Sequence, residues 1–267
     1  MDILTMLSYG FIQRAFVAGI FVAIVCSLLG TFLVLRNLSL IGDGLSHVSF
    51  GAIALGLFFG VYPIYIALPV VILASLLILK LTEKAKLYGD AAIGIVSSVG
   101  IASGVILASV SKGFNIDLFS YLFGNILSIS QEDVLLSVIL SGVVVIVITL
   151  FYQDLFSLTF SQELAQVTGV KTNKISSFLV ILTAITVVLS VRIVGIMLVS
   201  SLLILPAVTS LQISRGFKTT LFFGAIFAAT SVFLGIFISF ILNIPTGATI
   251  VLVNFGMFCL TYFVKNN

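Results

Sequence analysis

The chain has 267 residues, of which 61% are hydrophobic and 8% are charged, and its formal net charge at pH 7 is +3. Soluble domains carry about 25% charged residues, so this composition excludes a water-soluble domain and predicts an all-α, multi-pass membrane protein surrounded by a lipid bilayer. The sequence has no long basic run of the kind that binds nucleic acid, and we expect no nucleic-acid partner.

Apolar segments long enough to cross a bilayer, which takes about 20 residues, follow one another along the whole chain. We predict spans at roughly 11–35, 44–60, 62–81, 91–110, 134–152, 175–191, 194–213, 219–241 and 247–264. The segment 44–60 is short enough to be partly re-entrant, so the sequence predicts eight or nine transmembrane helices. The connections are too short for a second domain, and we expect residues 1–267 to form a single transmembrane domain.

The first apolar stretch, residues 11–35, is too long for the apolar region of a signal peptide, and no small-residue cleavage site follows it. We therefore expect it to be a retained span. Cys26 and Cys259 both fall inside predicted spans, which favours apolar packing over a disulfide.

Lysine and arginine are distributed unequally between the two sets of connections that nine spans create. One set contains Arg36, Lys80, Lys84, Lys86, Lys171, Lys174, Arg215, Lys218 and Lys265, and the other contains Arg14, Lys112 and Arg192. Because basic residues concentrate in cytoplasmic connections, the first set is predicted to be cytoplasmic. The N-terminus is then outside and the C-terminus inside.

The stretch IGDGLSHVSFGAIALG, residues 41–56, contains the single histidine of the chain, His47, four residues after Asp43. In a helix, residues four apart share one face. An ionisable group inside a span is costly and marks a site or pathway, and a carboxylate with an imidazole suits zinc, manganese or iron. Since a zinc site uses three or four protein ligands, a symmetric dimer would complete the set with two aspartates and two histidines.

Two other interpretations of the same pair remain open at this point. Asp43 could be an N-cap or first-turn acid, which is favourable at a helix N-terminus, while His47 is a satisfied polar residue within the helix bundle. Alternatively, the pair could pass protons as in a secondary transporter, although one aspartate and one histidine are few for a proton relay.

The segment FSQELAQVTGVKTNK, residues 160–174, is the most polar stretch of the chain. Its QELAQV core favours a short helix, and Gly169 can end that helix. Such a segment on the inner side could dock another protein, or it could be an ordinary interfacial loop. The chain has no phosphate-binding G-x-x-x-x-G-K-[ST] loop, no H-E-x-x-H and no C-x-x-C, so we expect a protein that is not an enzyme.

Several stretches together resemble the permease subunit of bacterial ABC importers for zinc and manganese, the metal-ion ABC-3 family. They are the run from residue 11 to residue 56, SYLFGNIL, QELAQVTGV, VRIVGIMLVSSLLILPAVTS and IPTGATIVL, and the resemblance covers about residues 8–264. It implies the architecture of a type II ABC importer in the bacterial plasma (inner) membrane. It also implies three partners: a second copy of the chain, a cytoplasmic ABC ATPase dimer that hydrolyses ATP, and an extracellular or periplasmic metal-binding receptor.

The resemblance also implies roles for particular residues. Asp43 and His47 match the Asp-x-x-x-His pattern that would coordinate the metal, and Glu163, Ala165 and Gly169 would face the ATPase. The metal is cargo, and no permanently bound cofactor is expected. The stretch GDGLSHVSFGAIALG is more similar to zinc permeases, because manganese members tend to have a proline shortly after the histidine, so Zn²⁺ is favoured over Mn²⁺.

Three other functions stay open on the sequence alone. An ion-coupled secondary transporter would need no ATPase and usually has an inverted repeat, which we do not find. A membrane scaffold or sensor would not need Asp43 and His47 for metal uptake. An ABC permease of the same architecture for a metal chelate would not need a paired aspartate and histidine.

Overall fold

The computed structural model of the protein describes residues 9–83, 85, 87–110, 124 and 129–266. The regular structure of these residues is helical. The helices are α1 (Gly10–Leu35), α2 (Ile41–Phe58), α3 (Pro63–Glu83), α4 (Gly89–Val110), α5 (Gln131–Leu150), α6 (Tyr152–Phe160), α7 (Gln162–Val167), α8 (Thr172–Val194), α9 (Ile196–Ile213), α10 (Phe217–Leu242) and α11 (Thr246–Asn266).

Nine helices of the described part of the chain, all but α6 and α7, are long and apolar enough to cross a membrane. The hydrocarbon of a bilayer offers no hydrogen-bond partners to backbone N–H and C=O groups, and a helix pairs these groups within its own segment. The predicted all-α multi-pass fold is therefore confirmed. Helix α2 has 18 residues, or roughly 27 Å at 1.5 Å per residue, which is the length of a span. It begins at Ile41, three residues before the predicted start, so Asp43 lies inside the helix.

The chain divides into two compact units. Unit 1 consists of Met1–Thr31, Phe119–Val145 and Ser190–Asn267. Within it, α9, α10 and α11 pack against one another, and the hydroxyl of Ser141 in α5 donates a 2.9 Å hydrogen bond to the carbonyl of Phe21 in α1. Both cysteines lie in this unit and are free, as the sequence predicts.

Unit 2 consists of Phe32–Leu118 and Ile146–Leu189. Its centre is the contact of α2 with α4, where glycines from both helices allow the two backbones to approach closely. A Cβ atom on Gly100 would lie 2.7 Å from the Cα atom of Val48, and a Cβ on Gly51 would lie 2.8 Å from the hydroxyl of Ser103. Small residues of this kind allow membrane helices to pack backbone to backbone. This glycine contact fixes one face of α2 against α4.

A half-buried arginine connects two helix ends within unit 2. The guanidinium of Arg36, which follows α1, donates a 3.0 Å hydrogen bond to the hydroxyl of Ser176 in α8. Burial lowers the pKa of Arg36, and the nearby carboxylate of Glu83 offsets part of this decrease. Because an arginine side chain stays charged in proteins, this bond holds the end of α1 to the start of α8 with a charge-assisted contact.

The glycine contact predicts that a glycine-to-alanine substitution lowers the stability of the protein at one site of α4 but not at another. Gly100→Ala forces α2 and α4 apart, so it should destabilise the protein by about 1–3 kcal/mol, the usual cost of overpacking. Gly94→Ala is the matched control, because no heavy atom lies within 4 Å of its Cβ position. The check is the temperature at which half of the detergent-purified protein remains monodisperse. Equal midpoints for the two variants would contradict the packing.

Candidate functional site

Asp43 and His47 lie one turn apart near the start of α2. The Oδ2 atom of Asp43 is 3.4 Å from the Nε2 atom of His47, and their side chains are 47% and 23% exposed. Leu40 is the N-cap, so Asp43 is not a capping residue but an acid in the first turn. That position is favourable for a carboxylate beside the helix N-terminus. The predicted sharing of one face is therefore confirmed, and both side chains are accessible.

The accessible stripe of α2 is narrow. From Ile41 to Ala54, all residues are buried except Asp43, His47 and Phe50. These three follow the spacing i, i+4, i+7, which places them on one side of a helix. The fold therefore holds the other faces of α2 in packing contacts and presents the carboxylate and the imidazole on the side that stays open.

The small polar neighbours of the pair are not available as metal ligands. Ser46 and Ser49 are fully buried, and their hydroxyls donate 2.8 Å hydrogen bonds to the carbonyls of Gly42 and Leu45 in the same helix. Among the described residues, no group of three or more His, Cys, Asp or Glu side chains is placed to hold a metal ion. One chain therefore offers one carboxylate and one imidazole here, fewer ligands than a closed zinc site needs.

Helix α7 is a short helix with a defined cap at each end. The hydroxyl of Ser161 accepts a 3.2 Å hydrogen bond from the amide of Leu164. At the other end Gly169 has a φ of +87°, its amide donates to Gln166, and the amide of Val170 donates to Ala165. These two bonds form a Schellman motif, in which a left-handed residue is usually glycine. The predicted short helix and its end at Gly169 are confirmed.

The exposed face of α7 differs from the one expected. Glu163 and Gly169 are exposed, but Ala165 is only 1% exposed and faces the interior of the chain. The apolar side chains on the open face are Leu164, 68% exposed, and Val167, 85% exposed. Sequence reasoning missed these two residues. The sequence does contain a signal for them: Leu164 and Val167 are apolar, lie within a polar segment, and are three residues apart, which places them on one helix face.

The model of the ABC 3 transport family matches residues 8–265. The manganese transport system membrane protein MntC of Halalkalibacterium halodurans is 32% identical over 97% of this chain and 88% of its own length. The high-affinity zinc uptake system membrane protein ZnuB of Haemophilus influenzae is 33% identical over 94% of this chain and 96% of its own length.

A solved structure has the same fold. PsaBC from Streptococcus pneumoniae, in complex with a Fab, superposes with a TM-score of 0.87 at 32% identity and covers 98% of this chain and 94% of its own. The names of the two relatives describe membrane proteins of transport systems. The expectation of a transporter subunit that is not itself an enzyme is therefore confirmed.

Proposed function

The chain belongs to the ABC 3 transport family, and we propose that it is the membrane-spanning permease subunit of an ATP-driven importer of divalent metal ions. In this proposal residues 1–267 act as one permease domain in the bacterial plasma (inner) membrane, and two copies form the translocation pathway. The observation that carries the proposal is the accessible, half-buried pair of Asp43 and His47, 3.4 Å apart on an otherwise buried stretch of a membrane span.

The chemistry of the pair supports a metal role. Asp43 and His47 lie within a membrane-spanning helix, and ionisable side chains there by default mark a site or a pathway. A second copy that presents the same stripe of α2 would supply a second Asp43 and a second His47. Two carboxylates and two imidazoles, all deprotonated, make a four-ligand set that suits tetrahedral zinc. Because each chain contributes only half of the ligands, movement between the copies could open the set and release the ion.

Zn²⁺ is the cargo we favour, because two imidazole nitrogens with two carboxylates suit zinc, whereas manganese prefers oxygen ligands. The names of the two relatives include a manganese system and a zinc system. Most protein sites bind zinc more tightly than manganese. A manganese importer with this ligand set would therefore depend on its metal-binding receptor to select the ion.

The position of the pair along α2 indicates where the ion would pause. In the orientation that the distribution of basic residues favours, α2 begins at the cytoplasmic side. Asp43 and His47 are two and six residues from Ile41, roughly 3 and 9 Å along the helix axis at 1.5 Å per residue. The pair therefore lies in the inner half of the span. A receptor would deliver the ion from outside, and the pair would hold it close to the cytoplasmic exit.

The coupling to ATP hydrolysis is assigned to α7, on the same inner side. Its exposed apolar pair, Leu164 and Val167, would fit a cleft on a cytoplasmic ABC ATPase dimer, with Glu163 beside it. Gln166 donates a 3.1 Å hydrogen bond to the hydroxyl of Thr172, the first residue of α8. Because both ends of α7 are capped, a displacement imposed on α7 would be passed to a membrane span. In this arrangement Ala165 packs α7 against the chain, and the contact is made by its neighbours.

The metal proposal predicts one bound ion for every two chains. Asp43→Asn and His47→Gln should each weaken the binding of Zn²⁺ at least about tenfold, because even changes in residues that only support metal ligands cost 10–100-fold. Asp90→Asn is the matched control, since Asp90 lies in the first turn of α4 as Asp43 does in α2. The measurement is competition titration of the purified transporter with Zn²⁺ and Mn²⁺. One ion per chain, or an equal loss in Asp90→Asn, would contradict the proposal.

The coupling proposal predicts a specific loss of ATPase binding. Val167→Asp puts a charge into an apolar contact and should weaken co-purification of the ATPase about tenfold or more, while Val167→Leu should preserve it. Val61→Asp is the control, because Val61 is an exposed valine in the α2–α3 connection, on the opposite side in the proposed orientation. Undiminished co-purification of Val167→Asp would show that α7 is an ordinary interfacial loop.

A further inference from the structure

A recess in unit 2, outside the Asp43–His47 pair, combines charged and aromatic side chains. It lies between α6, the turn 168–171 and the first turns of α8, and its volume is about 550 Å³. The side chains that matter for its chemistry are Phe151, Asp154, Lys171, Lys174, Ile175 and Phe178. A volume of this size is within the range of pockets that hold small organic ligands.

The charges of the recess have no partner in the described part of the chain. Lys171 and Lys174 are exposed and Asp154 is half-buried, and none of the three takes part in an ion pair there. Residues three apart at the start of a helix lie on the same side of it, so both ammonium groups can reach one anion. The recess therefore has a net positive charge of one unit, with a single carboxylate that can accept hydrogen bonds.

The wall of the recess is apolar. The rings of Phe151 and Phe178 are 5.6 Å apart and contact each other, and Ile175 lies on the same side of α8 as Phe178. Phe151 directly follows α5 and Lys171 directly precedes α8, and both of these helices are membrane spans. The apolar wall and the two lysines thus meet at a boundary between hydrocarbon and water. An amphiphile bound there can pack its apolar part on the wall and place its anionic group beside the lysines.

We propose that the recess binds the headgroup of an anionic phospholipid from the cytoplasmic leaflet. The phosphate lies between Lys171 and Lys174, the hydroxyls of a glycerol headgroup donate to Asp154, and the start of the acyl chains packs on Phe151 and Phe178. Basic pockets between spans on the cytoplasmic side bind lipid headgroups in this way. The proposal is independent of the metal cargo.

The recess is continuous with the coupling helix. One edge of the recess is the turn 168–171, which contains Gly169 and Val170, the two amide donors of the Schellman motif that ends α7. A lipid bound to Lys171 would hold this turn, and with it the C-terminal end of α7, at the membrane surface, while Leu164 and Val167 stay exposed.

The test is native mass spectrometry of the full-length chain in detergent with added phosphatidylglycerol or phosphatidylcholine. Each lysine near an anionic headgroup contributes about 1 kcal/mol, so Lys171→Gln combined with Lys174→Gln should weaken phosphatidylglycerol retention by roughly 30-fold. The matched control combines Arg215→Gln with Lys265→Gln, which removes two cytoplasmic positive charges outside the recess. The control and the phosphatidylcholine retention of all variants should match the unchanged protein.

Three results would overturn the lipid assignment. The first is equal phosphatidylglycerol retention by the double lysine variant and the unchanged protein. The second is an equal loss in the control, which would indicate non-specific attraction to any cytoplasmic lysine or arginine. The third is displacement of the lipid by millimolar inorganic phosphate, which would make the recess a site for a free anion. Because no metal or ATPase is present in this experiment, its outcome does not depend on the proposed transport function.

Discussion

The close contact between α2 and α4 is the constraint on which the placement of Asp43 and His47 depends. Gly51 and Gly100 have no side chains, so the two helices touch through their backbones. This contact and the burial of the neighbouring residues leave a single narrow stripe of α2 accessible. The packing of α2 against α4 fixes the backbone from which the carboxylate and the imidazole project, and a metal site requires ligands carried on such a rigid element.

The sequence predicts most of the fold because composition and periodicity act locally. Long apolar segments in a bilayer have to be helical, and residues four apart on a helix share a face, so the series of eight or nine predicted spans and the proximity of Asp43 to His47 follow directly. The capped helix α7 follows from Ser161 and Gly169. The burial of Ala165 does not follow from the sequence, because it depends on the tertiary packing of α7. The same holds for Leu164 and Val167, whose exposure is a property of the folded chain.

In the proposed function, the metal pair and the coupling helix share one physical character: each presents accessible groups that a partner would complete or cover. Asp43 and His47 would supply two of the four ligands of a tetrahedral zinc site, and a second copy would complete the set. Leu164 and Val167 are apolar side chains on a short helix that a soluble partner would cover. The incomplete ligand set fits the proposed homodimer, and the uncovered apolar pair fits the proposed ATPase contact.

The most direct test of the central claim is ATP-dependent uptake of radioactive Zn²⁺ and Mn²⁺ into proteoliposomes. The vesicles would contain this chain with its ATPase and receptor, either unchanged or with Asp43→Ala or His47→Ala. We predict that both variants assemble and bind the ATPase but lose uptake, and that the unchanged protein transports Zn²⁺ in preference to Mn²⁺. Undiminished uptake by both variants would show that the pair is a first-turn acid and a packing residue, and that the metal passes elsewhere.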